Sequence, residues 1–294
     1  MDLLDAALTL AQVEGVGDTL IGSALLRLAG GAGARPDTLA EALCSAGGSP
    51  ESIGALASLT DGARARVAAD LRVLRTAGVL VAAIGIAPYP ERLAARRQAP
   101  QAVYMLGNPA VLAGRTVASA VSNGAPASVL DAMDAWLACA AARGATVVTG
   151  HNREAYRRAA LAGLRMGGRV AYVLDRGLID AFDPQLRRSL FPSARIWSPD
   201  FRPDSDLALT PWRPRCSAMG DRNRQRDALV LGLADTVLVG WVRDGGVMQQ
   251  CSEVALAEGR RVVLVGPRCE SWRPLIESGA EQARDRSPGD LLEP

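Results

Sequence analysis

Short runs of β-branched and apolar residues, each too brief for a helix, constrain this chain more than any other feature. They are Thr116 to Val121, Thr146 to Thr149, Val170 to Leu174, Thr236 to Val239 and the run that ends at Val265. Between them lie segments of helical length and pattern, Ser128 to Ala142, Arg153 to Met166 and Val247 to Glu258. Such runs suit strands buried on both faces, and strands alternating with helices of this length imply a parallel sheet. The expected fold class is α/β, a Rossmann-like parallel sheet with helices on both faces.

One stretch, Gly220 to Val265, concentrates the features that point to chemistry. It reads as helix, buried strand, glycine turn, helix, buried strand. Asp244, Gly245 and Gly246 follow the strand Thr236 to Val239, which places two glycines at a helix N-terminus beyond a strand's carboxyl end. Unpaired N–H groups, the positive end of the helix dipole and the missing Cβ atoms make such a turn a seat for phosphate. The triplet Arg222, Asn223, Arg224 opens the preceding helix, where forked guanidinium donors would face the same crevice. Each feature also has a plainer reading: a glycine pair can simply make a tight turn, and an arginine-rich helix start can be a solvated face. Their adjacency in one repeat favours a phosphate or nucleic-acid site.

Composition narrows the class. A chain of 294 residues with 49% hydrophobic content buries a sizeable core, and a net charge of +2 is close to neutral. Nucleic-acid binding would therefore come from local clustering, not from an overall basic field. Every basic residue is arginine, a bias that genome composition explains as readily as phosphate binding does. Cys44, Cys139, Cys216, Cys251 and Cys269 are scattered without a C-x-x-C pair, which fits reduced thiols in a cytoplasmic protein. A single histidine, His151, and no clustered ligands argue against a zinc site, and no cofactor is implied. The start, MDLLDAALTL, lacks the basic region of a signal peptide, and no apolar run reaches the roughly 18 residues of a membrane span.

The N-terminal part differs from the rest. Residues 1–76 read as a small helical domain, and 77–294 as the Rossmann-like domain. Leu3, Leu4, Ala7, Leu8 and Ala11 keep helical spacing, Gly15-Val16-Gly17 interrupts, and Thr19 to Leu28 resumes it. That turn is like a helix-hairpin-helix, whose amides can hold a DNA phosphate, and it equally serves to pack two helices of a bundle. Glycines and prolines from Gly30 to Pro36 and Gly47 to Pro50 separate further short helices. Beyond Gly78, strands are expected at Val79 to Ile84, Val103 to Leu106 and Leu190 to Trp197, with Leu93 on a short helix. Ser198 to Met219, rich in proline, is expected to hold no regular structure and to be either a crevice wall or an insertion. Short helices are expected at Pro274 to Ala280 and Ser287 to Leu292.

Several motifs in series resemble the DNA-processing protein A family (DprA, also called Smf), part of the Rossmann-like SLOG superfamily, over nearly the whole chain. They are Tyr89-Pro90 with Leu93, Ala99-Pro100, Val103-Tyr104 and Gly107-Asn108, then Gly167-Gly168-Arg169 with Val173-Leu174. Arg222-Asn223-Arg224 is similar to that family's RNR signature. Glu258-Gly259-Arg260, Gly266-Pro267 and Leu275-Ile276-Glu277-Ser278-Gly279-Ala280 continue the series. The helical domain sits where that family has a small SAM-like or helix-hairpin-helix-like domain. The resemblance implies a non-enzymatic homodimer that binds single-stranded DNA in a basic crevice and hands it to a RecA-type recombinase during DNA uptake or repair. The DNA- or phosphate-binding residues it implies, with the turn geometry above, are Arg222, Asn223, Arg224, Gly245, Gly246, Ser122, Asn123, Gly150, His151 and Arg153.

This chain also departs from the pattern. Where the family's first strand ends in G-S-R, Val121-Ser122-Asn123 lacks the arginine. Thr149-Gly150-His151-Asn152-Arg153 replaces a glycine-rich loop, and Gln249 and Gln250 stand where a small hydroxyl residue is usual. Rewritten ligand loops keep a second reading open, a nucleotide-sensing or antitoxin-type regulator of a partner enzyme in an antiphage module. His151, at a strand's carboxyl end, is a ligand contact or a structural histidine. A third reading is nucleoside-monophosphate phosphoribohydrolysis, which in this superfamily uses a GG-x-GT-xx-E loop. Met248, Gln249 and Ser252 stand at those spacings here, so the threonine and the acid are missing.

Overall fold

The computed structural model describes residues 2–30, 37–182, 186, 201–283 and 288. The chain divides into two compact units. Unit one holds Met1–Gly107, Arg176–Arg188 and Leu209–Ala218, and unit two holds Asn108–Asp175, Ser189–Ala208 and Met219–Pro294.

Unit one begins with α1 (Leu3–Leu10), α2 (Asp18–Leu28), α3 (Leu39–Ser45), α4 (Pro50–Ala57) and α5 (Asp61–Thr76). Most of these helices are started by a side chain that satisfies an otherwise orphan N–H group. Asp2 accepts from Asp5, Ser49 from Ser52 ahead of Pro50, and Thr60 from Ala63, while Thr38 and Glu41 form a reciprocal capping box. The apolar faces meet in a core that includes Leu8, Leu10, Ile21, Leu25, Leu43 and Leu74. After Gly78, whose φ of 75° ends α5 in a left-handed turn, the chain forms β1 (Leu80–Ala83), α6 (Glu91–Ala94) and β2 (Ala102–Gly107). The strands are antiparallel, with Leu80 opposite Met105 and Ala83 opposite Ala102. Gly22 on α2 is held close to Gln101 and Ala102, where an added Cβ would lie 2.9 Å from the Gln101 side chain.

Unit two carries the parallel sheet. In chain order its elements are β3 (Thr116–Ala120), α7 (Ala127–Ala142), β4 (Thr146–Thr149), α8 (Glu154–Arg165) and β5 (Val170–Val173). A second set follows, α10 (Arg222–Gly232), β7 (Thr236–Val239), α11 (Val247–Ala257), β8 (Arg261–Leu264), α12 (Arg273–Glu277) and β9 (Glu281–Gln282). The strand order β5-β4-β3-β7-β8-β9 starts at β3, runs outward to β5, then returns to the other side of β3. Each of these neighbours pairs in parallel, with Ala120 beside Val239 at the reversal. This is the doubly wound order, with its switch point between β3 and β7. Val117, Val121, Val147, Leu238 and Val263 face α7 and α8, and α10 and α11 cover the opposite face. The strands are buried on both sides because helices cover both, as their uninterrupted apolar runs predict.

One expectation is corrected. Within Ser198 to Met219, Leu207–Thr210 forms a strand, β6, all four of whose residues are buried. The flanking prolines hid a short run of apolar character, Leu207-Ala208-Leu209. Earlier in the chain, α9 (Leu178–Ala181) and the glycine before it pair their backbone with Pro214 and Cys216, which gives the proline-rich segment an ordered path. The strand expected at Leu190 to Trp197 and, apart from Pro288, the helix expected at Ser287 to Leu292 lie outside the described residues. Among the described residues, no helix is long and apolar enough to cross a membrane.

Candidate functional site

The loops beyond the carboxyl ends of β3, β4, β5 and β7, with the start of α10, bring the sequence-selected residues into two neighbouring groups. In the first, beside the switch point, the Arg243 N–H donates to Ser122 Oγ at 3.1 Å and its Nη2 donates to the Asn123 carbonyl at 3.0 Å. Ser122 and Asn123 therefore serve as the support on which a guanidinium from the other loop rests. Arg243 is exposed, and neither it nor Arg224 has a carboxylate partner among the described residues. Arg243, from the β7 loop, thus lies against Ser122 and Asn123 at the end of the first strand.

Gly245 has φ 64°, a left-handed conformation that suits glycine, and Gly246 is the N-cap of α11. Their amides do not face outward as the sequence suggested. The Gly245 N–H donates to Gln249 Oε1, and the Gly246 N–H donates to the Arg243 carbonyl at 3.0 Å. Gln249 is buried and anchored by its amide to the Ser271 carbonyl at 2.9 Å, so it fills the turn from within. Gln250 accepts from Arg224 Nη2 at 2.9 Å and donates to the Gly245 carbonyl at 2.8 Å, tying the α10 start to the same turn. The glycine turn therefore acts as a scaffold between two exposed arginines.

The second group surrounds Arg226 and Asp227, both with no exposed surface. On α10 they stand three residues before the buried Leu229 and Val230 respectively, which puts them on its buried face. Arg226 Nη2 lies 2.8 Å from Asp227 Oδ1, and Nη1 reaches Asn152 Oδ1 and, at 3.4 Å, Asp175 Oδ2. Asp227 Oδ2 also meets Arg153 Nη2 at 2.8 Å, and its Oδ1 accepts from the Tyr156 hydroxyl at 2.6 Å. Burial first, and the Asp227 charge second, hold the Tyr156 hydroxyl well above its ordinary pKa, so it remains a donor. Asn152 Nδ2 bonds Asp175 Oδ2 and, at 3.1 Å, Asn223 Oδ1; His151 Nε2 lies 3.7 Å from Asp175 Oδ1. Two carboxylates face two guanidiniums, so the cluster balances its charge, while Arg226 Nη2 and Asp227 Oδ2 are met by ion-pair contacts and not by hydrogen bonds among the described residues.

The selected residues thus take different parts. Arg224 is exposed at the edge of the glycine turn, Arg222 opens α10 with its N–H donated to the Met219 carbonyl, and Asn223 joins α10 to the β4 loop. Arg153 is committed to Asp227, and His151 to the edge of the buried cluster. Gly150 is needed for packing: an added Cβ would lie 2.6 Å from the Tyr156 ring and 2.8 Å from Arg226 Cδ. Gly150→Ala is expected to lower the unfolding free energy in urea by about 1–3 kcal/mol through overpacking. Unaltered stability would assign the glycine to ligand approach instead.

Sequence reasoning missed Arg226, Asp227, Asp175 and Arg243. A charged pair in register with Leu229 and Val230 was the available signal for the first two. An aspartate two residues beyond β5 was the signal for Asp175. Nothing local marks Arg243, whose partner loop lies far away in sequence.

Residues 81–288 match the family model described as DNA recombination-mediator protein A. No curated protein matches the chain. Among solved structures, DNA processing protein A from Streptococcus pneumoniae is similar with a TM-score of 0.75 and 19% identity, covering 99% of this chain and 98% of that one. DNA processing protein A from Helicobacter pylori, described by its single-stranded DNA binding mode, is similar with a TM-score of 0.58 and 14% identity. That likeness covers 72% of this chain and 93% of the other.

Proposed function

The chain belongs to the DNA recombination-mediator protein A family, and from that premise we propose that it binds single-stranded DNA along the carboxyl edge of the unit-two sheet. The observation that carries this reading is the pair Arg224 and Arg243, exposed, without carboxylate partners among the described residues, and braced on either side of the Gly245–Gly246 turn. Guanidiniums held in this way contact backbone phosphates without choosing among bases, while ordered neighbours limit the entropy cost of binding. The Helicobacter pylori relative, which binds single-stranded DNA, supports the choice of ligand. In this reading the protein is a cytoplasmic homodimer that acts without catalysis and passes the strand to a RecA-type recombinase in recombination or DNA uptake.

A salt titration tests the assignment with an unstructured deoxythymidine oligonucleotide. Removing both side chains, as Arg224→Ala with Arg243→Ala, is expected to weaken binding about tenfold at low salt. The slope of log affinity against log salt should become shallower by roughly 0.7 for each phosphate that the variant no longer neutralises. A double variant with the wild-type slope and affinity would overturn this placement of the strand.

A further inference from the structure

Unit one contains a cavity of about 310 Å³ between α1, α5 and the segment after β6. Leu8, Ala11 and Pro214 line it with apolar surface, and Gln12, Asp70, Arg213 and Arg215 line it with polar groups. Its two guanidiniums are held by acids on the helices. Arg215 Nε and Nη2 bond the Asp70 carboxylate at 2.8 and 2.6 Å, and Asp70 is only 3% exposed. Asp18 Oδ1 accepts the Arg213 N–H at 3.1 Å and lies 3.2 Å from Nε. Both contacts use the Nε side of the fork. Nη1 of Arg215 and both Nη groups of Arg213 keep no hydrogen-bond partner among the described residues. Arg66 adds a further positive charge at Gln12, donating to its Oε1 at 3.3 Å.

Guanidiniums whose rear edges are fixed by carboxylates are pre-oriented donors, and their free edges match the oxygens of a phosphate. The apolar part of the lining suits a flat ring, and the volume is at the lower end for small-molecule sites. Next to the same segment, in the field of Asp18, Arg213 and Cys216, the Tyr104 hydroxyl is buried without a hydrogen-bond partner among the described residues, which leaves further donor capacity unspent. We propose that this cavity is a separate nucleotide site, in which Arg213, Arg215 and Gln12 hold the phosphate and Leu8, Ala11 and Pro214 cover the ring. The nucleotide is either one unit of an unpaired strand or a free mononucleotide. This site stands independently of the one at the switch point.

Cys216 lines the same cavity as a free thiol, so it reports occupancy. The full-length protein is alkylated with N-ethylmaleimide in the presence of thymidine monophosphate or of a deoxythymidine oligonucleotide, and each cysteine is followed by peptide mass mapping. Labelling of Cys216 is expected to slow at least about fivefold, with Cys44 and Cys269 unchanged. Protection by the mononucleotide identifies a free nucleotide as sufficient, and protection by the oligonucleotide alone identifies a strand. Gln12→Glu keeps the shape and both ion pairs, places a carboxylate against the phosphate, and should raise the concentration needed for protection about tenfold, equivalent to about 1.4 kcal/mol. Unslowed labelling with both ligands, or protection unmoved by Gln12→Glu, overturns the proposal. The Arg224→Ala, Arg243→Ala variant should keep its mononucleotide footprint at Cys216, so failure of the sheet-edge reading is distinguishable from failure of this one.

Discussion

Arg226→Met is expected to destabilise the protein by about 3–5 kcal/mol, measured by urea unfolding, although methionine fits much of the same volume. Arg226 has no exposed surface and lies against both Asp227 and Asp175, themselves almost wholly buried. Without it, Asp175 loses a guanidinium while His151, 3.7 Å away, offers a charge only when protonated. Asp227 loses the closer contacts, at 2.8 and 2.9 Å, and Asp175 a longer one at 3.4 Å, so the larger part of the damage falls on Asp227. The cost reflects a stranded charge, not the loss of an intrinsically strong bond, because desolvation offsets much of what a buried ion pair contributes. Combining Arg226→Met with Asp227→Asn should therefore recover about 1–2 kcal/mol, as a coupling between neighbouring residues. Additive losses in that cycle would refute the buried charge balance. The same substitution frees Asn152 from Arg226, so the β4 loop should lose its fixed position against Asn223.

Gly177→Ala is expected to cost about 3 kcal/mol, at the upper end of ordinary overpacking. The φ of Gly177 is −70°, so alanine would suffer no backbone penalty there. The obstacle is distance: a Cβ would lie 2.0 Å from the Arg213 carbonyl oxygen and 2.3 Å from that of Pro214. Backbone atoms cannot rotate aside as a side chain would. The Gly177 N–H donates to the Cys216 carbonyl at 2.8 Å, and the Ile179 N–H to that of Pro214 at 2.8 Å, so the segments would have to part. Separation would move Arg215 away from Asp70 and expose the segment to protease. Gly54→Ala is the control, since it lies in α4 with nothing within 4 Å of the added atom. It should be neutral or stabilising by about 0.4–1 kcal/mol. Equal losses in the two variants would show that close approach is not what Gly177 provides.

The parallel strands were legible because burial on both faces leaves one-dimensional evidence, an uninterrupted apolar run such as Thr146 to Thr149 or Thr236 to Val239. Helix starts carry an equally local signal, since Thr38 with Glu41 and Ser49 with Pro50 act within a single turn. β6 was concealed because its four residues sit in a proline-rich stretch, and their burial depends on surroundings that no local pattern encodes.

At the candidate site the same division holds. Sequence alone determined that a glycine turn begins α11, that arginines begin α10, and that both belong to a repeat of alternating helices and strands; periodicity and turn chemistry are short-range and survive in one dimension. Only the tertiary structure decided which donors remain available. It closed the Gly245 amide with Gln249, committed Arg153 to Asp227, and brought Arg243 onto Ser122 and Asn123 across 121 and 120 residues of chain. Hydrogen-bond capacity is consumed by whichever partners folding brings within about 3 Å, and that choice is made by the packing of distant segments.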